Sequence, residues 1–422
     1  MTASRPAPSG FEASRFARPA RQIRWVLFAS MSLSSAASIA MATINSIAGA
    51  DLGGNAAWAG VPSAMILIGS ALSAPLWGEL SARIGRRGGL VLGLVLGVAG
   101  AALSGVALAS ASLPVFLTGL ILIGVTGAAV GLSRFAAADV HPPELRARAI
   151  STVVLGGAVG AIAGPVLVAP SGLAATQAGW GELTGPYAAS LLLYAAAALV
   201  VFLLLRPEPS RLGREVAAAY GGDAVIEGPA RPVGTILRGR SAFLAVTAMT
   251  LGQMVMVMVM VITSLHMRDH HHPLGSISLV IGAHTFGMFA FSVVSGRLAD
   301  RLGRVPVIVF GSATLVVACL TAPVSTSVLP LAVSLFLMGL GWNFCYVGGS
   351  ALLADELRPG ERARTQGFND LLVGAGSAAG SLASGLIFGA LGYAAMAAIG
   401  AVVALVPLIL GLAWRRTVAA LA

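Results

Sequence analysis

Long apolar runs alternate with short polar segments along the whole chain. Each run is about 20 residues or longer, which is the length that a helix needs to cross the hydrocarbon core of a bilayer. The pattern predicts twelve membrane-spanning helices in two groups of six, and we number them spans 1 to 12. Their approximate limits are 24–50, 57–79, 88–110, 113–136, 148–171, 186–205, 241–267, 275–297, 305–326, 329–354, 365–388 and 391–414.

The polar segments predict how the chain is organised. Residues 1–23 contain Arg, Pro and Ser without periodicity and predict a disordered cytoplasmic tail. An Arg-rich, acid-poor start is also typical of organelle-targeting segments, but a tail ahead of the first span is the simpler interpretation. Residues 207–240 are rich in Pro and Gly and predict a flexible cytoplasmic linker. The other segments are an N-terminal six-helix bundle over 24–206, a C-terminal six-helix bundle over 241–416 and a cytoplasmic tail over 417–422.

Composition excludes a soluble globular protein. Hydrophobic residues make up 57% of the chain, only 10% are charged, and the mean hydropathy is +0.89. Soluble domains carry about 25% charged residues, and no soluble core of this size hides so much apolar surface. The two cysteines, Cys319 and Cys345, both lie inside apolar runs, so we expect buried hydrophobic side chains and no disulfide. The chain is therefore expected to be an all-α integral membrane protein.

The basic residues predict the orientation in the membrane. All 26 are arginine, and all except Arg268 fall on one side of the predicted membrane. Positive charge accumulates on the cytoplasmic side of inner membranes, so both termini are expected in the cytoplasm of a multi-pass plasma-membrane protein. The net charge of +10 does not indicate a nucleic-acid partner, because the arginines are spread over loops instead of forming one basic face. The partner that this pattern favours is the lipid bilayer itself.

Two loop motifs recur half a chain apart and indicate a duplicated architecture. GELSARIGR at 78–86 returns as GRLADRLGR at 296–304, with a constant offset of 218. The shared glycines and arginines are Gly78, Arg83, Gly85 and Arg86 in the first copy and Gly296, Arg301, Gly303 and Arg304 in the second. ADVHPPELRAR at 138–148 returns as ADELRPGERAR at 354–364, with an offset of 216. A long-period repeat of this kind is typical of two related structural units.

With twelve spans, a long central loop and the GRLADRLGR motif, the chain resembles the major facilitator superfamily of secondary transporters over essentially its whole length. The resemblance implies two six-helix bundles around a central cavity, with alternating access by rocking of the halves. It also implies a cytoplasmic gate in which the motif carboxylate, here Asp300, acts as a latch. Ala82 stands in the equivalent place of the first copy, where Glu79 or Asp139 are possible substitutes. Arg134, at the end of span 4, belongs to the same predicted gate.

Polar residues inside the spans are candidates for substrate binding or ion coupling, because such residues are costly in a membrane. His284 in span 8 is predicted either to bond a neighbouring helix or to contact substrate or relay protons. Asp370 in span 11 is predicted either to be a gate residue or a coupling carboxylate. A mixed aromatic and polar cavity lining, with helix packing as the alternative, is predicted for Trp342, Asn343, Tyr346, Gln253 and Asn45. In one further respect the chain departs from drug-efflux members of the family, which carry an Arg in span 4 where Leu120 stands here.

The sequence HMRDHHHP at 266–273 raises the question of a metal site. Consecutive histidines do not define a coordination geometry, so we expect a solvated loop and no metal or cofactor. We also find no catalytic constellation at membrane depth, and predict that the protein is not an enzyme.

These patterns predict a monomeric secondary transporter of a small organic solute. Few carboxylates lie in the spans, which favours hydrophobic or modestly polar cargo over highly charged substrates. The leading expectation for the direction of transport is export. Proton coupling, metabolite uptake and a non-transporting membrane sensor stay open as alternatives.

Overall fold

Apolar helices form almost all of the chain in the computed structural model, which describes residues 11–220 and 231–421. Within those residues, eleven helical stretches are long and apolar enough to cross a membrane. The last stretch, Arg364–Trp414, has 51 residues and contains Gly392 in a left-handed conformation (φ 79°). At about 1.5 Å per residue it is long enough for two crossings of a hydrocarbon core about 30 Å thick. A turn at Gly392 therefore gives the twelve crossings that the sequence predicts.

The helices follow the predicted spans, with several spans interrupted. In chain order they are α1 (Ala17–Ala42), α2 (Asn45–Gly53), α3 (Val61–Ala109), α4 (Leu113–Gly131), α5 (Ser133–Asp139), α6 (Pro143–Ala163), α7 (Val168–Gln177), α8 (Thr184–Leu204), α9 (Pro209–Tyr220), α10 (Val233–Leu237), α11 (Arg240–Asp269), α12 (Leu274–Phe289), α13 (Ser292–Leu302), α14 (Arg304–Thr321), α15 (Val328–Glu356) and α16 (Pro359–Leu421). Short 3₁₀ segments lie at Ala56–Gly60, Gly164–Leu167 and Ala322–Val324.

The chain divides into two compact units that do not follow the predicted boundary. The first unit comprises Met1–Met41 and Ile68–Ala224, and the second comprises Ala42–Leu67 and Val225–Ala422. The end of span 1 and the start of span 2 thus belong to the second unit. The reason is local packing, because the 3₁₀ segment Ala56–Gly60 lies against α16. Ser381 of α16 donates a 2.7 Å hydrogen bond to the Gly60 carbonyl oxygen.

Glycines let equivalent helices approach closely in each unit. In the first unit, a Cβ on Gly156 or Gly160 of α6 would lie 2.5 Å or 2.0 Å from carbonyl oxygens of α1. In the second unit, a Cβ on Gly380 of α16 would lie 2.6 Å from the Met254 carbonyl oxygen of α11. In lipid, small residues permit this kind of backbone contact between helices. Spans 5 and 1 in one unit and spans 11 and 7 in the other therefore form equivalent pairs.

The segment predicted as a disordered tail is partly ordered. Helix α1 begins at Ala17, and the Phe11 and Phe16 side chains ahead of it are buried. The Phe11 ring lies 5.6 Å from Tyr220 and 5.9 Å from His141, with Phe16 6.2 Å from Tyr220. Aromatic contacts with the start of the linker explain the order, and they involve residues far apart in the sequence. Residues 1–10 lie outside the described part of the chain.

The predicted linker also contains regular structure. Residues Pro209–Tyr220 form α9, which buries Leu212 and Val216 and packs against α5. Val233–Leu237 form α10, and residues 221–230 lie outside the described residues. At the other end of the chain, α16 continues to Leu421, into the segment predicted as a tail.

Candidate functional site

The two copies of the repeated motif have the same backbone conformation at their second glycine. Gly85 has φ 83° and ψ 164°, and Gly303 has φ 93° and ψ 159°. This region of φ and ψ is essentially restricted to glycine. In each copy the glycine ends one span and the following arginine begins the next. The first glycines, Gly78 and Gly296, are also alike, because a Cβ on either would meet no heavy atom within 4 Å.

An arginine–aspartate pair is repeated in both units. In the first unit, Arg86 donates from Nε and Nη2 to the same Asp139 oxygen, at 3.2 and 2.9 Å. In the second, Arg304 donates from Nε to Asp355 at 3.2 Å. Each pair joins the start of one span to the end of the next, at positions related by the sequence repeat. Asp139 is therefore the counterpart of Asp355 and does not replace the carboxylate missing at position 82.

The motif carboxylate that the second unit retains stays within its own motif. Asp300 accepts a 2.6 Å hydrogen bond from Arg304, four residues later, and its side chain is 70% exposed. In the first unit, Glu79 pairs in the same way with Arg83, and both side chains are exposed. Arg301 is exposed on α13. An exposed pair of this kind contributes about 0–1 kcal/mol to stability, so it positions the charges more than it stabilises the fold.

A carboxylate that the sequence analysis missed occupies the helix start in the first unit. Glu208, just ahead of α9, accepts hydrogen bonds from the backbone N–H groups of Arg86 (2.7 Å) and Arg87 (3.4 Å). A negative charge is favourable at a helix N-terminus, where backbone N–H groups have no helical partner. Glu208 thereby attaches the linker to the start of span 3. The residue lies 122 positions from Arg86, so no local pattern in the sequence signals the contact.

The sequence predicted that Arg134 belongs to the same cytoplasmic gate, but in the structure its side chain contacts an aromatic ring. Its guanidinium carbon lies 4.9 Å from the ring centroid of Phe135. Its Nε atom is buried and has no hydrogen-bond partner within the described residues. Arg134 is thus stabilised by a cation–π contact, with no carboxylate beside it in the described structure.

Within the second unit, three of the predicted cavity residues come together with two that were not predicted. Trp342 donates from Nε1 to Gln253 Oε1 at 2.5 Å, and Gln253 donates from Nε2 to Ser377 at 2.8 Å. Tyr346 stacks on Trp342, with ring centroids 5.0 Å apart and 22° between planes. Phe289 makes a T-shaped contact with Trp342, with ring centroids 6.2 Å apart. We call Gln253, Phe289, Trp342, Tyr346 and Ser377 the aromatic–amide cluster.

The cluster combines residues from four spans, and its larger side chains are only partly buried. Gln253, Trp342, Tyr346 and Phe289 are all of intermediate exposure, whereas Ser377 is 2% exposed. The cluster offers flat aromatic faces and amide hydrogen-bonding groups but no ionised side chain. Such a surface suits an uncharged or weakly charged planar solute. The sequence signalled Trp342 and Tyr346 through their spacing of four, but a single Ser among glycines and alanines gave no signal for Ser377.

Asn343, a further predicted residue of span 10, packs against span 8. Asn343 is 2% exposed and makes its hydrogen bonds to span 8, donating to the Met288 carbonyl (2.6 Å) and Ser292 (2.9 Å) and accepting from Ser295. These contacts lie at the interruption between α12 and α13, where the backbone lacks regular helical partners. The geometry corresponds to the helix-packing alternative for Asn343.

His284 is fully buried, and Nδ1 lies 2.9 Å from the Leu335 carbonyl oxygen of α15. This is the bond to a neighbouring helix that was one of its two predicted roles. Asn45 is buried at the start of α2, next to the interruption in span 1. Asp370 is exposed on α16. The candidate roles of these three residues rest on their positions in the spans.

Arg268, the single arginine predicted to lie on the side opposite the others, has a specific partner. Its Nη1 lies 2.9 Å from Asp51 Oδ2 at the end of α2. The neighbouring histidines make packing contacts, with the His266 ring stacked on Tyr393 at 4.1 Å and His272 Nε2 2.8 Å from the Thr326 carbonyl oxygen. Among the described residues, no group of three or more His, Cys, Asp or Glu side chains is arranged to hold a metal ion.

Apolar helical spans, two units and repeated loop motifs define a multi-pass membrane protein with a duplicated architecture. A model of the Major Facilitator Superfamily matches residues 26–268 and 242–421. The uncharacterized MFS-type transporter YdeG of Bacillus subtilis (strain 168) is 37% identical over 384 residues, covering 89% of this chain and 87% of that protein. The chain belongs to the Major Facilitator Superfamily, and it is a multi-pass membrane transporter.

One further similarity is to a related sequence, and another is to a solved structure. The riboflavin transporter RfnT of Brucella anthropi is 29% identical over 338 residues, covering 78% of this chain and 80% of that protein. The crystal structure of the nucleoside transporter NupG has a TM-score of 0.68 and 14% sequence identity, over 94% of this chain and 98% of that one. At this identity the second similarity establishes the fold alone.

Proposed function

We propose that the protein is a secondary active transporter that moves a small, weakly charged aromatic solute by alternating access. It acts as a monomeric exporter in the plasma membrane, with both termini in the cytoplasm. Alternating access in such transporters occurs by rocking of one structural repeat against the other, and this chain has two related units. The charge distribution of the loops supports the orientation.

The aromatic–amide cluster is the observation that carries this proposal. Three partly exposed aromatic rings and the partly exposed Gln253 amide meet there beside the buried Ser377 hydroxyl, inside membrane-spanning helices. A planar ring can stack on Trp342 or Tyr346, and the Gln253 amide lies beside Trp342, to which it is hydrogen-bonded. The relative named as a riboflavin transporter supports a planar heteroaromatic cargo, since riboflavin contains such a ring system.

Flux into liposomes with an imposed proton gradient tests the proposal. Riboflavin and a set of neutral planar dyes serve as fluorescent probes. The Trp342→Phe variant keeps an aromatic ring but loses the N–H donor to Gln253. Since a hydrogen bond contributes about 0.5–1.5 kcal/mol, the flux of the best probe should fall about 2- to 10-fold. Trp25→Phe is the matched control, because Trp25 is 51% exposed in a different unit and should leave flux unchanged.

Two outcomes contradict the proposal. If every probe moves no faster than in protein-free liposomes, aromatic solute transport is rejected and a non-transporting membrane sensor becomes the better interpretation. If Trp25→Phe and Trp342→Phe reduce flux equally, the cluster has no special role. Direction is tested separately in a deletion strain, where greater growth sensitivity and cargo accumulation indicate export and reduced accumulation indicates metabolite uptake.

Proton coupling has two candidates, Asp370 and His284. We favour Asp370 because it is exposed, whereas His284 is fully buried against a backbone carbonyl. Asp370→Asn should remove the dependence of net flux on the proton gradient while exchange of labelled for unlabelled cargo continues. Gradient-dependent flux that persists in Asp370→Asn but is lost in His284→Gln would assign coupling to the histidine instead.

A further inference from the structure

A polar cavity of about 420 Å³ lies in the first unit, where the linker helix α9 packs beside the first loop motif. Its volume is within the range of about 300–1,000 Å³ that is typical of small-molecule sites. The wall contains three guanidinium groups, one carboxylate and two hydroxyl groups. These belong to Arg86, Arg146, Arg214, Asp139, Ser81 and Ser210.

The three arginines reach the cavity from three different helices. Arg86 begins span 3, Arg146 is on α6 and Arg214 is on α9. Convergence of charges from separate elements requires the tertiary structure, and it brings together like charges that repel one another. A cluster of like charges in a concave site is favourable only when counter-charge is supplied.

Among residues 11–220 and 231–421, one of the three arginines forms a side-chain ion pair. Asp139 is bound by Arg86 through both Nε and Nη2. Arg146 donates from Nε to the His141 carbonyl oxygen at 3.3 Å, and its side chain is exposed. Arg214 is exposed on the face of α9 that also carries Ser210 and Ala217. Three positive groups against one negative group leave the cavity wall with a formal charge of +2.

The linker helix is held in place over the cavity by independent contacts. A Cβ on Gly213 would lie 3.0 Å from the Asp139 carbonyl oxygen, so α9 lies directly against the end of α5. Glu208 anchors the start of α9 through the backbone N–H groups of Arg86 and Arg87. The cavity is therefore built by ordered helices and does not depend on loop position.

We propose that this cavity binds a phosphate group, carried either by an anionic phospholipid or by a soluble phosphate compound. Guanidinium groups bind phosphate oxygens through paired N–H donors, and the two serine hydroxyls add neutral donors. Basic pockets beside membrane helices are suited to phospholipid headgroups. A bound phosphate neutralises Arg146 and Arg214 and holds the linker helix against the loop motif. This site is independent of the cargo and of the aromatic–amide cluster.

Binding to the purified full-length protein in detergent tests the proposal, with three probes kept apart. Phosphatidylglycerol represents the lipid source, inorganic phosphate represents the soluble source, and phosphatidylcholine is the zwitterionic control. The readouts are the thermal unfolding temperature and native mass spectrometry. Phosphatidylglycerol, inorganic phosphate or both should raise the unfolding temperature, whereas phosphatidylcholine should not. The probe that acts at the lower concentration identifies the source.

Two matched pairs of variants locate the site on α9. Arg214→Gln should weaken binding about tenfold or more, because it removes charged hydrogen bonds. Arg211→Gln removes an arginine from the same helix but outside the cavity, where it pairs with Glu215, and should leave binding unchanged. Ala217→Glu places a negative charge in the cavity wall and should abolish binding, whereas Ala218→Glu on the exposed side should not.

The proposal is overturned if neither anionic probe binds, or if phosphatidylcholine binds as well as phosphatidylglycerol. It is also overturned if Arg211→Gln weakens binding as much as Arg214→Gln, because the attraction would then reflect overall charge. The Ala217 and Ala218 pair retains every arginine and gives the same decision if the arginine variants fail to fold.

Discussion

At the scale of single residues, glycine geometry connects the sequence repeat with the fold. Gly85 and Gly303 share a backbone conformation that forms the turn between one span and the next. The repeated motif predicted equivalent structural roles for both glycines, since their positions repeat 218 residues apart. The crowding around Gly85 was not predictable, because the Glu208 carboxylate comes from the distant linker. A Cβ on Gly85 would lie 2.9 Å from Glu208 Oε1.

Gly85→Ala should therefore destabilise the protein. The positive φ costs about 1–3 kcal/mol for a residue with a Cβ, and displacement of Glu208 adds to this cost. Gly78→Ala is the control in the same motif, since its Cβ would meet nothing within 4 Å. Thermal unfolding in detergent should show a lower midpoint for Gly85→Ala and little change for Gly78→Ala. Equal midpoints for the two variants would show that the turn tolerates a side chain.

Glu361 is a second residue whose role only the structure revealed. Its side chain is 1% exposed, and it accepts from Arg231 Nε at 2.8 Å and Nη2 at 2.7 Å. It also accepts from the backbone N–H groups of Arg231 (3.0 Å) and Arg358 (3.1 Å). The hydrogen bonds from Arg231 hold the pKa of the Glu361 carboxyl well below its usual range. This pair attaches the end of the linker to the start of α16.

The lowered pKa predicts how stability depends on pH. A carboxyl whose pKa is lower in the folded protein stabilises it above the unfolded pKa of about 4.3, and loses this effect as the pH falls through the folded value. The unfolding temperature of Glu361→Gln should therefore be lower than that of the original protein at pH 7, with the gap closing below about pH 4. Glu215→Gln, in an exposed pair, is the control and should show little gap at any pH. A gap that widens on acidification would refute the assignment.

At the scale of elements, helix pairs are arranged by small residues in both units. Spans 1 and 5 and spans 7 and 11 meet through glycines, as the glycine-rich sequences of spans 5 and 11 allow. The contact between the 3₁₀ segment Ala56–Gly60 and α16 has no such repeat and was not predicted. A Cβ on Gly60 would lie 1.7 Å from the Ser381 carbonyl oxygen, which is closer than any real contact.

Gly60→Ala should separate this segment from α16. The backbone of one element must shift, and the Ser381 hydrogen bond to Gly60 is then weakened or lost. Overpacking of this kind costs about 1–3 kcal/mol. The control is Gly374→Ala in α16, where a Cβ meets nothing within 4 Å and the higher helix propensity of Ala is neutral or slightly stabilising. Unfolding midpoints measured side by side decide the matter, and a stable Gly60→Ala protein would mean that the segment does not pack this closely.

At the scale of the whole molecule, a symmetric frame carries asymmetric charges. The pairs Arg86–Asp139 and Arg304–Asp355 are equivalent in the two units. Asp300 exists only in the second unit, and Glu208 binds a helix start only in the first among the described residues. Duplication therefore set the backbone and one ion pair, whereas the remaining charges differ between the units.

This asymmetry bears on the proposed latch at the Arg-rich face. Asp300→Asn should reduce liposomal flux about two- to fivefold, in line with an exposed charge interaction of up to about 1 kcal/mol. Ala82→Asp restores the motif carboxylate in the first copy and should change flux less. The two variants are compared at equal protein density, with a proton gradient imposed. Equal and near-normal flux in both would reject the latch.

The sequence by itself determined the membrane environment, the twelve spans, the duplication and the family. These properties depend on composition, run length and spacing, which are local or periodic features of the chain. It also predicted part of the aromatic–amide cluster, because Trp342 and Tyr346 lie one helical turn apart. The tail and the linker are more ordered than the sequence predicted, because the aromatic contacts and ion pairs that order them join distant residues.

Only the tertiary structure decided which helix faces meet. A soluble helix shows its buried face by a polar opposite face, but a spanning helix is apolar all round because lipid is as apolar as a protein core. Sequence periodicity therefore could not pair Gln253 with Ser377, direct Asn343 toward span 8 or bring Arg86, Arg146 and Arg214 to one cavity. Those contacts arise from helix packing through small residues and from hydrogen bonds between residues far apart in the chain.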